Sequence, residues 1–435
     1  MNSIAAGVAV VLLTLGYLSN TPLVFYSGLF GLAAALAGLS FRRSRRGDAG
    51  AVLLLNTLVF LLLGLAIVDA VGAVLRARAE SRTIEPVYSF ADAEADPSGF
   101  ERWWKLANTR FLSRRGDLLI DDPSGRNPFL LKPGARVQNH EAVLRVNALG
   151  FRGPEISLDK GDRFRIVAVG ESTTFGLILL ADDRPWPEIL QDLITSELSC
   201  DKEVEVVNAG IPGFTLANNV LRLQTEIFPL RPDLVVSYHG YNGFHFFLDE
   251  IPEVQVRQAP IPPERPSWLL ERIETAVRVA AFRKRYETHD DRDEPALLDD
   301  FRTSPYSTHY RKLIAMARAR NIDLALSNFN LAIDEDSPEE VVRFYERVFP
   351  NARSDLFANR LHTLLVRELA SEADITFVDA TPGLDGEYER YFADLVHFNQ
   401  AGRERLARNI LAGIRGILEA DPRTNCRPRR VSPVR

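Results

Sequence analysis

Asp394 and His397 stand three residues apart near the end of the chain, and Ser172 lies far upstream in Gly170-Glu171-Ser172-Thr173. Across a turn, a carboxylate at that spacing can hold an imidazole Nδ1–H while Nε2 faces a serine hydroxyl. This is the orienter, base and nucleophile set of acyl transfer. Such a reaction develops an oxyanion, and two more residues suit it. Gly213, in Asn208-Ala209-Gly210-Ile211-Pro212-Gly213, could offer an unobstructed N–H, and Asn242, in His239-Gly240-Tyr241-Asn242-Gly243, an amide donor. The Ser172 N–H would be the third donor, and each donor of this kind typically lowers the barrier by about 2.7–4 kcal/mol. Taken singly, each residue has an ordinary structural reading: Ser172 as a helix N-cap, Gly213 as a left-handed turn, Asn242 as a turn former. His239 and His245 flank Asn242, but their spacing within one loop does not make a metal site.

What unites these residues is the elements before them. From Arg165, short β-branched runs alternate with helical periodicity, the pattern of a parallel sheet covered by helices on both faces. The strands expected are Arg165–Val169, Val204–Val207, Leu234–Ser237, Asp323–Leu326 and Ile375–Val378. Helices are expected over Pro187–Leu198, Thr215–Ile227, His309–Ala319, Asp355–Ala370 and Gln400–Leu418. The fold class is therefore α/β, a flavodoxin-like three-layer sandwich on five parallel strands. Ligands of such sheets bind at the carboxyl ends of the strands, where the Ser172, Gly213, Asn242 and Asp394–His397 segments all fall.

Those four segments resemble the four blocks of the SGNH/GDSL hydrolase superfamily, over about Arg165–Leu418. The resemblance implies a Ser172 nucleophile, a His397 base oriented by Asp394, and an oxyanion hole of Ser172, Gly213 and Asn242, with no cofactor. Val146–Gly153 also looks like a segment that precedes such domains in bacterial envelope members. Two positions depart from the family pattern: Glu171 stands where Asp is usual, and Gly243 where Asp often follows the Asn. Neither removes a catalytic atom, and Glu171 reads as structural, with an effect on pocket shape.

The regions around this core differ in kind. Residues 1–78 carry six Arg and two Asp, leaving 46 basic and 56 acidic residues downstream, so the net charge of −6 arises downstream. Nothing points to nucleic acid. Apolar stretches at 4–19, 22–40 and 51–75 read as a transmembrane anchor of three helices, the third long enough to cross a hydrocarbon core of about 30 Å. Asp69 falls near the downstream end of that third stretch, from where its carboxylate would reach the interface. Arg42, Arg43, Arg45 and Arg46 lie between the second and third stretches, which places that loop in the cytoplasm and the large domain outside it. Cys200 and Cys426 are the only cysteines, and a disulfide and two free buried thiols are both open.

Residues 79–160 read as an irregular lead-in, with Trp103 and Trp104 in an amphipathic segment and Val146–Gly153 as a strand running into a turn. The hydrolase domain spans 161–420, and 421–435 is a basic tail. An insertion at 244–305 holds a Pro-rich run at Ile251–Pro266, a helix around Trp268–Tyr286 and a charged linker, His289–Pro295; the expected reading is a helix packed on the domain with a solvated linker, with a lid or membrane-surface element as the alternative. The function expected is a membrane-anchored serine esterase acting on glycan or lipid esters. The alternatives are a polysaccharide O-acetyltransferase using the same triad, and a non-catalytic envelope scaffold. No protein partner is legible.

Overall fold

The computed structural model describes residues 2–18, 21–81, 100, 103–104, 115–139, 142–178, 183–244, 267, 269–270, 273, 294–349 and 352–429. The chain divides into two compact units, 1–83 with 258–284, and 84–257 with 285–435.

The first unit contains α1 (Asn2–Leu18), α2 (Pro22–Ser44) and α3 (Ala49–Ser81), over the three apolar stretches. Pro22–Ser44 and Ala49–Gly72 are long and apolar enough to cross a membrane, and Ala5–Tyr17 is a shorter apolar helix. Apolar side chains of α3 such as Leu53 and Phe60 are exposed, at 71% and 75%. A Ser40 Oγ to Asn56 Oδ1 hydrogen bond of 2.8 Å ties α2 to α3. Asp69 does not reach outward: it is buried, and its Oδ1 accepts the Leu269 N–H at 2.7 Å. A buried carboxylate needs such a donor, and a backbone N–H at the start of a helical turn supplies one. Ser267 Oγ accepts the next free N–H of that turn, from Leu270, at 3.1 Å. Of the insertion's expected elements, the Pro-rich run and most of the helix and linker lie outside the described residues.

The second unit is built on a five-stranded sheet. Ahead of it come two antiparallel pairs, β1 (Leu119–Ile120) with β2 (Leu130–Leu131) and β3 (Arg136–Asn139) with β4 (Ala142–Arg145). The central strands are β5 (Phe164–Gly170), β7 (Val204–Asn208), β8 (Leu234–Tyr238), β9 (Asp323–Ser327) and β10 (Thr376–Val378). A short β6 (Leu198–Ser199) leads into β7. The central strands are all parallel, in the order β10-β9-β8-β5-β7. Every residue of β5 and β8 is buried, as expected of strands covered on both faces. On one face, α5 (Trp186–Glu197) packs on α9 (Gln400–Ala420). On the other, α6 (Leu216–Arg222) packs on α7 (Pro305–Arg318), which meets α8 (Ala352–Ala373). This is the doubly wound sandwich expected, and its strand order reverses between β5 and β8, the point at whose carboxyl ends such sheets bind their ligands.

Three segments differ from expectation. The helix expected over Thr215–Ile227 is α6 continued by a wider turn at Leu223–Ile227. The lead-in is less irregular than its composition implies: Val137, Ala142 and Leu144 bury alternate positions of its hairpin in a core shared with Phe175, Ile211 and Phe214. The strand expected at its end stops at Arg145, and 146–153 is a turn. In it Asn147 Oδ1 accepts the Leu149 and Phe151 N–H groups, both at 3.0 Å. At the other end of the chain, Cys200 and Cys426 form a disulfide and β11 (Arg427–Pro428) pairs with β6, so residues 421–429 are part of the fold.

Candidate active site

Strand β5 ends at Gly170, and α4 (Ser172–Phe175) begins two residues later, so Ser172 heads a single turn of helix at the sheet's carboxyl edge. Phe175 N–H to Glu171 O and Gly176 N–H to Ser172 O, at 3.0 and 2.9 Å, close that turn. The Asp394–His397 segment arrives at the same edge. Asp394 is fully buried, and its Oδ1 accepts the N–H groups of Val396 and His397 at 2.9 and 2.7 Å. Its Oδ2 lies 2.8 Å from His397 Nδ1, and His397 Nε2 lies 2.9 Å from Ser172 Oγ. A carboxylate has only acceptors, so Nδ1 carries the proton and Nε2 is left to accept from the serine hydroxyl. Asn399 then caps α9 through the Gly402 N–H at 3.0 Å, which fixes where the histidine turn ends.

The segments holding Gly213 and Asn242 are stitched to this turn by hydrogen bonds. Asn208 Nδ2 donates to Thr174 O at 2.8 Å, and the Ile211 N–H to Gly170 O at 3.3 Å. Gly213 has φ +79, the left-handed conformation that suits glycine. One residue on, Phe214 O accepts from Asn242 Nδ2 at 2.9 Å, which joins the two expected oxyanion loops directly.

Three supports hold the site in ways the sequence did not show. Glu171, buried beside the serine, accepts the backbone N–H groups of Gly240 and Asn242. Burial pushes its carboxyl up to about 8, with the two N–H groups pulling the other way. His239 is no metal ligand candidate: buried, it contacts Asn219 Nδ2 at 2.9 Å and Ser237 Oγ at 2.8 Å, and Asn219 also donates to Gly170 O. Burial lowers His239 to about 3, so the ring is neutral. Arg152, from the lead-in, donates its backbone N–H to Asn208 O at 3.1 Å and lays its guanidinium 5.6 Å from the Phe175 ring centroid. No group of three or more His, Cys, Asp or Glu suited to a metal occurs among the described residues, and His245 lies outside them.

The profile of the GDSL-like lipase/acylhydrolase family matches residues 168–405, from the end of strand β5 into α9. Among solved structures, the chain is similar to a lipase/acylhydrolase from Enterococcus faecalis, at 19% identity over 62% of this chain and 100% of that one, with a TM-score of 0.36. It is similar to TesA at 18% identity, over 58% and 99% of the two chains, with a TM-score of 0.35. Similarity to the acetyl xylan esterase AlAXEase runs at 16% identity over 58% and 100%, with a TM-score of 0.34. No curated protein matches the sequence. The family match spans more than half of the 435 residues and includes every residue singled out for the chemistry, so the chain belongs to the GDSL-like lipase/acylhydrolase family, a family of ester-hydrolysing enzymes.

Proposed function

We propose that the protein is a membrane-anchored serine esterase that cleaves acyl or acetyl esters of glycans or lipids through an acyl-Ser172 intermediate. One observation carries this reading: the unbroken hydrogen-bonded line from Asp394 Oδ2 through the imidazole of His397 to Ser172 Oγ. In the first half-reaction His397 Nε2 takes the hydroxyl proton as Ser172 Oγ attacks the acyl carbon. The oxyanion is met by N–H donors of Ser172 and Gly213 and by the Asn242 amide. The intermediate collapses, and His397 hands its proton to the departing alcohol oxygen. In the second half-reaction His397 deprotonates water, which attacks the acyl carbon and releases the acid, restoring Ser172. A sugar hydroxyl in place of water would make the same cycle a transfer.

Two features support a site of action outside the cytoplasm. Arg42 and Arg43 in the last turn of α2, with Arg45 and Arg46 just after it, favour a cytoplasmic side for the connection between α2 and α3. The disulfide between Cys200 and Cys426 suits an oxidising compartment. The test is labelling with a fluorophosphonate serine probe, for which wild type should react and Ser172→Ala and His397→Ala should not. A folded wild type that neither labels nor turns over p-nitrophenyl esters would sink the enzymatic reading and favour the scaffold.

A further inference from the structure

Glu171 lies between the end of β5 and the serine, yet its side chain serves another loop. Its Oε1 accepts the Gly240 N–H and its Oε2 the Asn242 N–H, both at 3.1 Å and across 69 and 71 residues of sequence. An anion fits this geometry, because each oxygen of a carboxylate accepts. A protonated acid, or an amide, must turn a donor toward one of the two N–H groups. The other side of the loop is also held. A Cβ on Gly243 would come within 2.1 Å of the Tyr306 ring, so the phenol fills the place where the resembling family often carries an aspartate side chain. The loop is therefore clamped between Glu171 and Tyr306, and Asn242 Nδ2 leaves it to meet Phe214 O.

We propose that Glu171, as a carboxylate, is a positioning residue for the oxyanion hole: by taking two N–H groups of one loop it holds Asn242 against the turn that carries Ser172. The inference rests on the assignment of Asn242 as an oxyanion donor. Tyr238 of β8 and Tyr306 and Tyr310 of α7 sense Glu171, and all three are buried phenols whose ionisation burial pushes upward. They are neutral, so these three do not offset the carboxylate's charge. With burial driving Glu171 up to about 8, the clamp tightens as pH rises through that value.

The test uses the full chain in detergent, with Glu171→Gln, Glu171→Asp and, as a control buried acid, Asp385→Asn, whose carboxylate bonds Asn330 Nδ2 at 2.7 Å. In Glu171→Gln, amide hydrogen exchange over 240–243 should quicken at least tenfold. Its kcat for a p-nitrophenyl ester should fall by up to the roughly 10²–10³-fold cost of one lost oxyanion donor, with KM little changed. Glu171→Asp, which keeps the charge on a shorter arm, should recover part of both. The part of the wild-type rise of kcat centred near pH 8 should vanish in Glu171→Gln and persist in Asp385→Asn. Unchanged exchange at 240–243 in Glu171→Gln overturns the proposal, as does a rise of kcat lost in Asp385→Asn instead. Should Glu171→Gln not fold, wild-type exchange in Glu171→Asp overturns it equally. A wild type inert to esters would refute the Ser172 reading, while the exchange measurement still decides whether the clamp exists.

Discussion

Asn242 Nδ2 donates to the carbonyl oxygen of Phe214 at 2.9 Å, so one of its two amide hydrogens is committed and the other has a fixed direction. A donor aimed in advance need not reorganise when the oxyanion forms, which is the condition for electrostatic stabilisation of a transition state. Asn242→Asp would present an acceptor to the Phe214 carbonyl and to the oxyanion alike. Its kcat should fall at least as far as that of Asn242→Ala, itself expected to drop by about 10²–10³-fold. Steady-state kinetics on a p-nitrophenyl ester would read both, and equal kcat for wild type and Asn242→Ala would remove Asn242 from the oxyanion hole.

Asp394→Asn tests the tautomer. An asparagine can turn its NH2 toward Nδ1 and drive the ring proton to Nε2, leaving no acceptor for the serine hydroxyl. The expected loss in kcat is about 10⁴-fold with the fold intact. Fluorophosphonate labelling rates for this variant beside Ser172→Ala measure it, and wild-type labelling would show that Asp394 does not set the base.

The buried histidines contribute a part of the stability that acid removes. Burial lowers both His239 and His362 from 6.5 to about 3. Between those values the unfolded chain binds protons that the folded chain refuses. The stability these rings contribute is therefore complete above about pH 6.5 and lost as pH falls toward 3, by up to about 1.4 kcal/mol per pH unit for each ring. Buried Glu171, Asp355 and Asp385, raised to about 8, act in the opposite sense, stabilising at low pH and losing that effect as pH rises through about 8. Comparing His362→Gln with wild type isolates one ring. The wild-type advantage in Tm should shrink from pH 7 to pH 4, and a constant difference would mean that His362 is not the titrating group.

Much of this architecture was legible because its signals are local. The strand expected at Arg165–Val169 from its own β-branched run lies within the buried strand Phe164–Gly170, and Asp394 and His397 lie within one turn of each other. What stayed illegible depends on distant contacts. Glu171 looks like a substitution of limited consequence until residues 69 and 71 positions away bring their N–H groups to it. The lead-in hairpin has no long apolar run of its own and gains its core from Phe175, Ile211 and Phe214 downstream. Asp69 reads as a residue bound for an interface because its partner, Leu269, is 200 positions away.

Residues 421–429 predict a cost on reduction. The bond between Cys200 and Cys426 closes a loop across 226 residues, and Thr424 and Cys426 are buried beside it. Cys200→Ser or a reductant should lower stability by roughly 2–5 kcal/mol, the usual range for a native disulfide. Thermal unfolding with and without reductant reads the change, and identical Tm values would mean that β6 and β11 hold the C-terminus unaided.

The contact between Asp69 and Leu269 bears on how the molecule can be cut. Trimming at Ile84, the obvious way to prepare the hydrolase portion for crystallisation, would leave Leu269 without the Asp69 carboxylate and separate 258–284 from the rest of its unit. Leu269, Leu270 and Ile273 would then lack their scaffold, and the trimmed enzyme should self-associate on a sizing column. Excising 258–284 together with 1–83, with a short Gly/Ser bridge across the gap, should return it to a monomer. The first unit is therefore drawn from two separate stretches of the chain, and any domain exchange with a relative has to move both.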